Sequence, residues 1–201
     1  MFHTLFLASS NPGKLREFQT LAAGQAVQIE PLPGFKDFPP FEESAPTFAE
    51  NAAGKVLHYS RYTPEPVIAD DSGLVVWALG GAPGVHSARY AGPAATDKDR
   101  YLKLLDSMKG KTGAERSARF VCVLALAHRG RAIAVFSASV DGAIAGAPRG
   151  TNGFGYDPVF CVEALDRTTA EMTGEEKNRY SHRARAFAKL VSFLASPEST
   201  L

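Results

Sequence analysis

The chain has 201 residues, with 22 Lys and Arg against 21 Asp and Glu, a formal charge of +1, and 45% hydrophobic and 21% charged residues. Such a composition excludes a disordered, collagenous, coiled-coil or disulfide-built chain and fits a single globular domain. A charge so close to zero gives no field to hold a nucleic acid polymer non-specifically, so phosphate recognition falls to a few placed cations and the expected ligand is small.

In chain order, residues 1–9 lack the charged start of a signal peptide. No apolar run approaches the ~20 residues of a membrane span. A cytoplasmic protein without membrane contact is expected. Residues 5–8 predict a short strand, followed by Ser9, Ser10, Asn11, Pro12 and Gly13; from residue 14 to 23, Leu15, Phe18, Leu21 and Ala22 recur at helical spacing. At a strand-to-helix turn, backbone amides and the positive end of the helix dipole can cradle a phosphate, and Lys14 adds a full charge. This is not the GxxxxGK[ST] loop, and Asn-Pro-Gly turns also arise for steric reasons alone.

Residues 31–46, rich in Pro, Gly and acids, read as a loop in which Glu42 and Glu43 are either a solvated pair or the source of one carboxylate for a hard cation. Thr47 with Glu50 predicts a capping box opening a helix over 48–62. Residues 67–69 predict a second strand, ended by Asp70, Asp71, Ser72 and Gly73. Side chains alternate along a strand, so only one of the two Asp points into a given cleft. Strand ends are where α/β sheets place their sites, although a turn acid capping Gly73 is the competing reading. One or two carboxylates, completed by waters and substrate phosphates, suit Mg²⁺.

Gly80, Gly81, Pro83 and Gly84 break regular structure, and Thr96 with Asp99 predicts a capped helix through residue 108. Residues 118–127 and 132–140 predict a β pair joined at Arg129 and Gly130. Cys122 and Cys161 lie in apolar stretches without metal-ligand spacing and read as buried thiols of a reducing compartment. The stretch 150–158 is dense in glycine around Phe154 and Tyr156, either of which is placed to stack on a base or to anchor a surface loop.

A last helix over 182–194 has Ser181 as N-cap and Ala184, Phe187, Val191 and Leu194 as its apolar stripe. Lys177, His182 and Arg183 converge only if Lys177 precedes a break at Ser181. No nucleophile with its base is visible, which leaves direct attack by water as the simpler chemistry. The order of strands and helices predicts an α/β fold.

These motifs, in this order and over essentially the whole chain, resemble the inosine triphosphate pyrophosphatase family, whose members hydrolyse non-standard purine nucleoside triphosphates. The matching blocks are Ser9-Ser10-Asn11-Pro12-Gly13-Lys14, Thr47-Phe48 with Glu50-Asn51 and Lys55, Ala69 to Leu74 with Gly80 to Val85 and Ser87 to Tyr90, Gly153 to Pro158, and Ser181-His182-Arg183. The resemblance implies an elongated α/β fold with a mixed central sheet, one domain over 1–201 with two lobes and the active-site cleft between them, a homodimer, Mg²⁺ dependence, and hydrolysis to monophosphate and pyrophosphate. By position it makes Asp71 the general base and a metal ligand, with Glu42 as second acid. Ser9, Ser10, Asn11, Pro12, Gly13, Lys14 and Lys55 would hold the triphosphate. Ser72, Phe154, Gly155, Tyr156, Asp157, Lys177, His182 and Arg183 would contact substrate.

Two positions depart from the pattern: Gly54, where a larger residue is common and whose flexibility is expected to loosen Lys55, and Asp141, where many members carry Glu. Hypoxanthine and xanthine present O6 as an acceptor, so donors on His182 and Arg183 would favour them over adenine. A related-fold pyrophosphatase acting on pyrimidine or modified nucleotides, and a non-catalytic nucleotide-binding module, are the competing functions.

Overall fold

A computed structural model describes residues 3–197, the Ala164 side chain apart. Met1 and Phe2, which open the segment read above as lacking an export signal, lie outside the described residues. The regular elements are β1 (His3–Leu7), α1 (Pro12–Ala22), β2 (Val27–Pro31), α2 (Phe48–Tyr59), β3 (Val67–Val76), α3 (Asp97–Ser107), β4 (Ser117–His128), β5 (Arg131–Ile144), β6 (Phe160–Val162), β7 (Arg167–Thr168), α4 (Gly174–Tyr180) and α5 (His182–Leu194).

The helices begin where capping chemistry dictates. Asn11 Oδ1 accepts the Gly13 and Lys14 amides at 2.8 and 3.1 Å with Pro12 in the first turn, satisfying two of the orphan donors of α1. Thr47 Oγ1 accepts the Glu50 amide at 3.2 Å to start α2, and its hydroxyl donates back to Glu50 Oε2 at 2.6 Å. Thr96 and Asp99 close a full capping box on α3.

The strands form one seven-stranded mixed sheet in the order β2-β1-β3-β4-β5-β6-β7. β1 is parallel to both β2 and β3, whereas β5, β6 and β7 pair antiparallel. Arg129 (φ 50°) and Gly130 (φ 75°) make the two-residue turn between β4 and β5, the positive φ pair of a tight hairpin. The α/β expectation holds. β2 and α4 are additions to the sequence reading.

β3 is longer than expected. The apolar pattern resumes at Leu74 and Val76, both fully buried, and Ser72-Gly73 pass through in extended conformation rather than turning. Asp70 and Asp71 are therefore the fourth and fifth of ten strand residues, not a strand end. Their rungs do lie beyond Leu7↔Ile68, the last pairing of β3 with β1, so they stand past the C-terminal end of the parallel pair, where α/β sheets expose functional groups.

Two compact units divide the described residues: 3–71, 122–138 and 183–197 in the first, and 72–121 with 139–182 in the second. The first has its own core, centred on Leu5, Leu7, Phe18, Ile68, Leu124 and Phe187. The second packs Leu74, Leu104, Met108, Phe120, Val159 and Phe160. In α5 the buried apolar positions are Ala186, Phe187 and Leu190, and Val191 and Leu194 pack half-buried against the same core, so the stripe read in the sequence is widened by Ala186 and Leu190, with Ala184 only half-buried. Cys122 is buried as expected, but Cys161 is only half-buried and accepts from the Arg149 guanidinium at 3.1 Å. Asp141 pairs with Arg119 at 2.6 Å. None of the described helices is long and apolar enough to cross a membrane.

Candidate active site

In the first unit, α1, β3 and α5 bring four charges into a chain of alternating sign. Lys14 Nζ lies 2.6 Å from Asp70 Oδ1, Arg183 Nη2 lies 3.6 Å from Asp70 Oδ2, and Arg183 Nη1 is paired with Glu17 Oε2. Lys14 and Glu17 are three residues apart, hence on one face of α1. Burial works to raise the Asp70 pKa, yet Lys14 and Arg183 together hold it far below the ordinary carboxylate value. Asp70 is thus a fixed anion with no basic character. Cys122 Sγ sits 3.8 Å from it, and burial keeps that thiol protonated.

The Gly13 and Lys14 amides are already taken by Asn11, and the Asn11 amide donates to Ser9 Oγ at 3.2 Å. A phosphate at this turn would meet the exposed Ser10 and Pro12, the Ser9 hydroxyl, the Lys14 ammonium and the helix dipole rather than those two amides.

Asp71 faces the opposite way from Asp70, as strand alternation requires. Its side chain is buried at 5% exposure, and Oδ2 has no hydrogen-bond partner. Burial first, then the charge of Glu43, push its pKa up to about 6 against the lowering effect of Lys14 and of the Asn51 side chain. Glu43 is half-buried and 2.6 Å from Lys55 Nζ, while Glu42 is exposed. The acid whose charge acts on Asp71 is Glu43, which turns to Lys55 on α2, while Glu42 faces solvent. Among the described residues no group of three or more His, Cys, Asp or Glu is arranged to hold a metal. Two carboxylates, one with an unsatisfied buried oxygen, nevertheless fit Mg²⁺, whose remaining ligands are waters and phosphate oxygens.

Gly54 does not loosen Lys55. A Cβ there would lie 2.5 Å from Phe41 Cζ, so the ring occupies the space that a side chain would take, and Lys55 is held by Glu43.

The second unit holds Ser72, Phe154, Gly155, Tyr156, Asp157, Lys177 and His182. Asp157, buried at 2% exposure, accepts from Lys177 Nζ at 2.5 Å, from Thr169 Oγ1 at 2.8 Å and from the Phe154 amide at 2.8 Å. Gly153 (φ +77°) allows this: a Cβ there would be 2.0 Å from Asp157 Oδ2. Lys177 Nζ also lies 5.2 Å from the centre of the half-buried Phe154 ring. Tyr156 is not available for stacking, since its ring is buried and its hydroxyl donates to the Ser87 carbonyl at 2.8 Å. The Gly155 amide donates to Asp97 Oδ2 at 2.7 Å, and Ser72 is half-buried.

α4 ends at Tyr180 and α5 begins at His182, so Ser181 makes the expected break with extended backbone (φ −75°, ψ 145°). His182 stacks on Phe120 at 4.7 Å with 9° between the planes. A narrow cavity is lined by Asp157, Thr169, Lys177, Ser181, His182 and Phe120. The convergence of Lys177 with His182 is therefore observed, whereas Arg183 belongs to the first unit with Glu17 and Asp70. Sequence reading misses Glu17 and Thr169 as partners; only the three-residue spacing of Glu17 from Lys14 signals the former.

The Ham1 family model matches residues 5–193. A dITP/XTP pyrophosphatase of Geobacillus kaustophilus is 52% identical over 92% of this chain and 91% of its own length, and one of Thermus thermophilus is 49% identical over 92% and 88%. Among solved structures, a HAM1 protein from Coxiella burnetii superposes with a TM-score of 0.85 at 42% identity, covering 96% of this chain and 99% of the other.

Proposed function

The chain belongs to the Ham1 family, and from that premise we propose that it hydrolyses non-standard purine nucleoside triphosphates, of the dITP and XTP kind, to monophosphate and pyrophosphate. The observation that carries the chemistry is the Asp71 carboxylate, buried beside Glu43 with one oxygen unpartnered and a pKa of about 6. Such a group is mostly ionised at neutral pH yet basic enough to take the proton from an attacking water. Asp71 and Glu43 would hold Mg²⁺, which when bound supplies charge neutralisation for the phosphates and a more acidic water.

Lys14 and Lys55, each resting on a carboxylate, turn their charge to the leaving pyrophosphate oxygens as substrate arrives, while the Ser9 and Ser10 hydroxyls orient the chain of phosphates. In the second unit His182 and Lys177 donate toward the purine O6 edge, and Asp157 fixes Lys177 for that task. Adenine lacks that acceptor and would leave buried donors unpaired, the arrangement that yields selectivity up to ~10⁴-fold. The same reading makes the protein a cytoplasmic homodimer, and light scattering on a size-exclusion column checks the dimer.

Incubating the protein with Mg²⁺ and a panel of ITP, dITP, XTP, ATP, GTP and CTP, in water enriched in ¹⁸O, tests the assignment. Pyrophosphate should be released from the first three, with label in the monophosphate. Label in free phosphate, or equal turnover of CTP, overturns it.

A further inference from the structure

The loop preceding α2 carries Glu43, and it lies on α2 through a succession of contacts that run antiparallel to the helix. Ala45 and Asn51 exchange hydrogen bonds at 3.0 and 3.3 Å. Glu43 meets Lys55 at 2.6 Å, and the Phe41 amide donates to Tyr59 Oη at 3.1 Å. His58 Nε2 donates to the Pro39 carbonyl at 2.7 Å, and Phe38 stacks on Tyr62 at 4.5 Å. The helix positions 51, 55, 58 and 59 repeat every three or four residues, hence form one face, and Tyr62 follows just beyond the end of α2.

At the centre of that face the helix has no side chain. Gly54 leaves bare backbone, and the Phe41 ring lies so close that a Cβ would fall 2.5, 3.1 and 3.5 Å from its outer carbons. The ring also meets His58 one turn further along α2, 5.8 Å between centroids, and its own backbone is tied to Tyr59. A glycine inside a helix costs about 1 kcal/mol relative to alanine, so its presence here is a sacrifice of helix stability matched to the ring. Two residues beyond Phe41 the chain delivers Glu43 to the vicinity of Asp71, whose carboxyl is pushed up by the Glu43 charge.

We propose that Phe41 and Gly54 form a positioning pair, ring seated on bare helix, that sets Glu43 beside Asp71 for divalent-metal binding. The proposal rests on the reading of Glu43 as a metal ligand. Filling the seat with a methyl group forces the ring outward and shifts the loop by which Glu43 is held. Shortening Phe41 to leucine makes room for the added methyl, since leucine lacks the outer ring carbons that a Cβ added at Gly54 would meet.

Mn²⁺ binding to the metal-free protein by titration calorimetry, with amide hydrogen exchange over residues 35–45, decides the matter for four proteins: wild type, Gly54→Ala, Gly54→Ala with Phe41→Leu, and Glu43→Gln. Gly54→Ala should weaken Mn²⁺ binding about tenfold, the scale of a lost supporting interaction, and speed exchange of the Phe41 and Ala45 amides. The double variant should recover most of both. A Gly54→Ala protein with wild-type affinity and exchange, or a double variant no better than the single one, overturns the pair while leaving the metal reading in place. If Glu43→Gln binds Mn²⁺ as wild type does, the metal reading itself fails and the proposal with it.

Discussion

Asp70 and Asp71 are adjacent, identical in chemistry and opposite in electrostatics. Asp70 is matched by Lys14 and Arg183, and Asp71 faces Glu43 with one oxygen unpartnered. Asp71→Asn should lower kcat at least ~10²-fold, the usual scale for a general base. Its effect on stability has the opposite sign. A carboxyl whose folded pKa of about 6 stands above its unfolded value of 3.8 binds more protons folded than unfolded, so it destabilises the metal-free protein increasingly as pH rises from about 4 to 6. The Asn variant escapes that cost, on the order of 1–3 kcal/mol, and should melt above wild type at pH 7.5 without metal, the advantage vanishing below pH 4. Equal melting points at both pH values would refute the raised pKa. Arg183→Ala, by contrast, leaves Asp70 and Glu17 without their shared cation and should cost about 3–5 kcal/mol. It should depress kcat/KM for ITP and ATP by similar factors; a selective loss of ITP would return Arg183 to base recognition.

The elements legible in the sequence are those with local signals. Thr47, Thr96 and Ser181 mark helix starts, and Arg129-Gly130 marks a hairpin, because caps and tight turns depend on a few neighbouring residues. β2 escapes notice because only Val27 and Ile29 of its five residues are buried, too brief an alternation to stand out. α4 escapes it because its seven residues, GEEKNRY, carry no apolar stripe. So short a helix is marginal in isolation, and it depends on its full capping box, Thr173 Oγ1 accepting the Glu176 amide at 3.2 Å and Glu176 accepting the Thr173 amide at 2.8 Å. It also carries Lys177. Thr173→Ala should therefore lower stability by about 1 kcal/mol, or ~2–4 °C in Tm, and in addition raise KM for ITP with little change in kcat. A changed Tm with unchanged KM would mean that Lys177 is held by Asp157 alone.

What no local pattern reveals is which unit a residue joins. His182 and Arg183 are neighbours in sequence, yet one stacks on Phe120 in the second unit and the other binds Glu17 and Asp70 in the first, because successive residues at a helix start diverge by ~100°. The extent of β3 is hidden for a related reason: two acids and a glycine mid-strand are tolerated only through partners distant in sequence, Lys14 and Arg183 among them. The chain passes from one unit to the other four times, at 71/72, 121/122, 138/139 and 182/183, and the first three of those passages fall within β3, β4 and β5. Neither unit is a contiguous segment, and continuous strands shared by both are a covalent reason for them to unfold together. Phe187, buried against Phe18 with ring centres 5.8 Å apart, belongs to the first core, whereas Trp77, the chain's single tryptophan, belongs to the second unit. Phe187→Ala should cost about 3–5 kcal/mol and move the Trp77 fluorescence transition and the far-ultraviolet circular dichroism transition to the same lower temperature. A fluorescence midpoint that stays at the wild-type value while dichroism shifts would show that the two units melt independently.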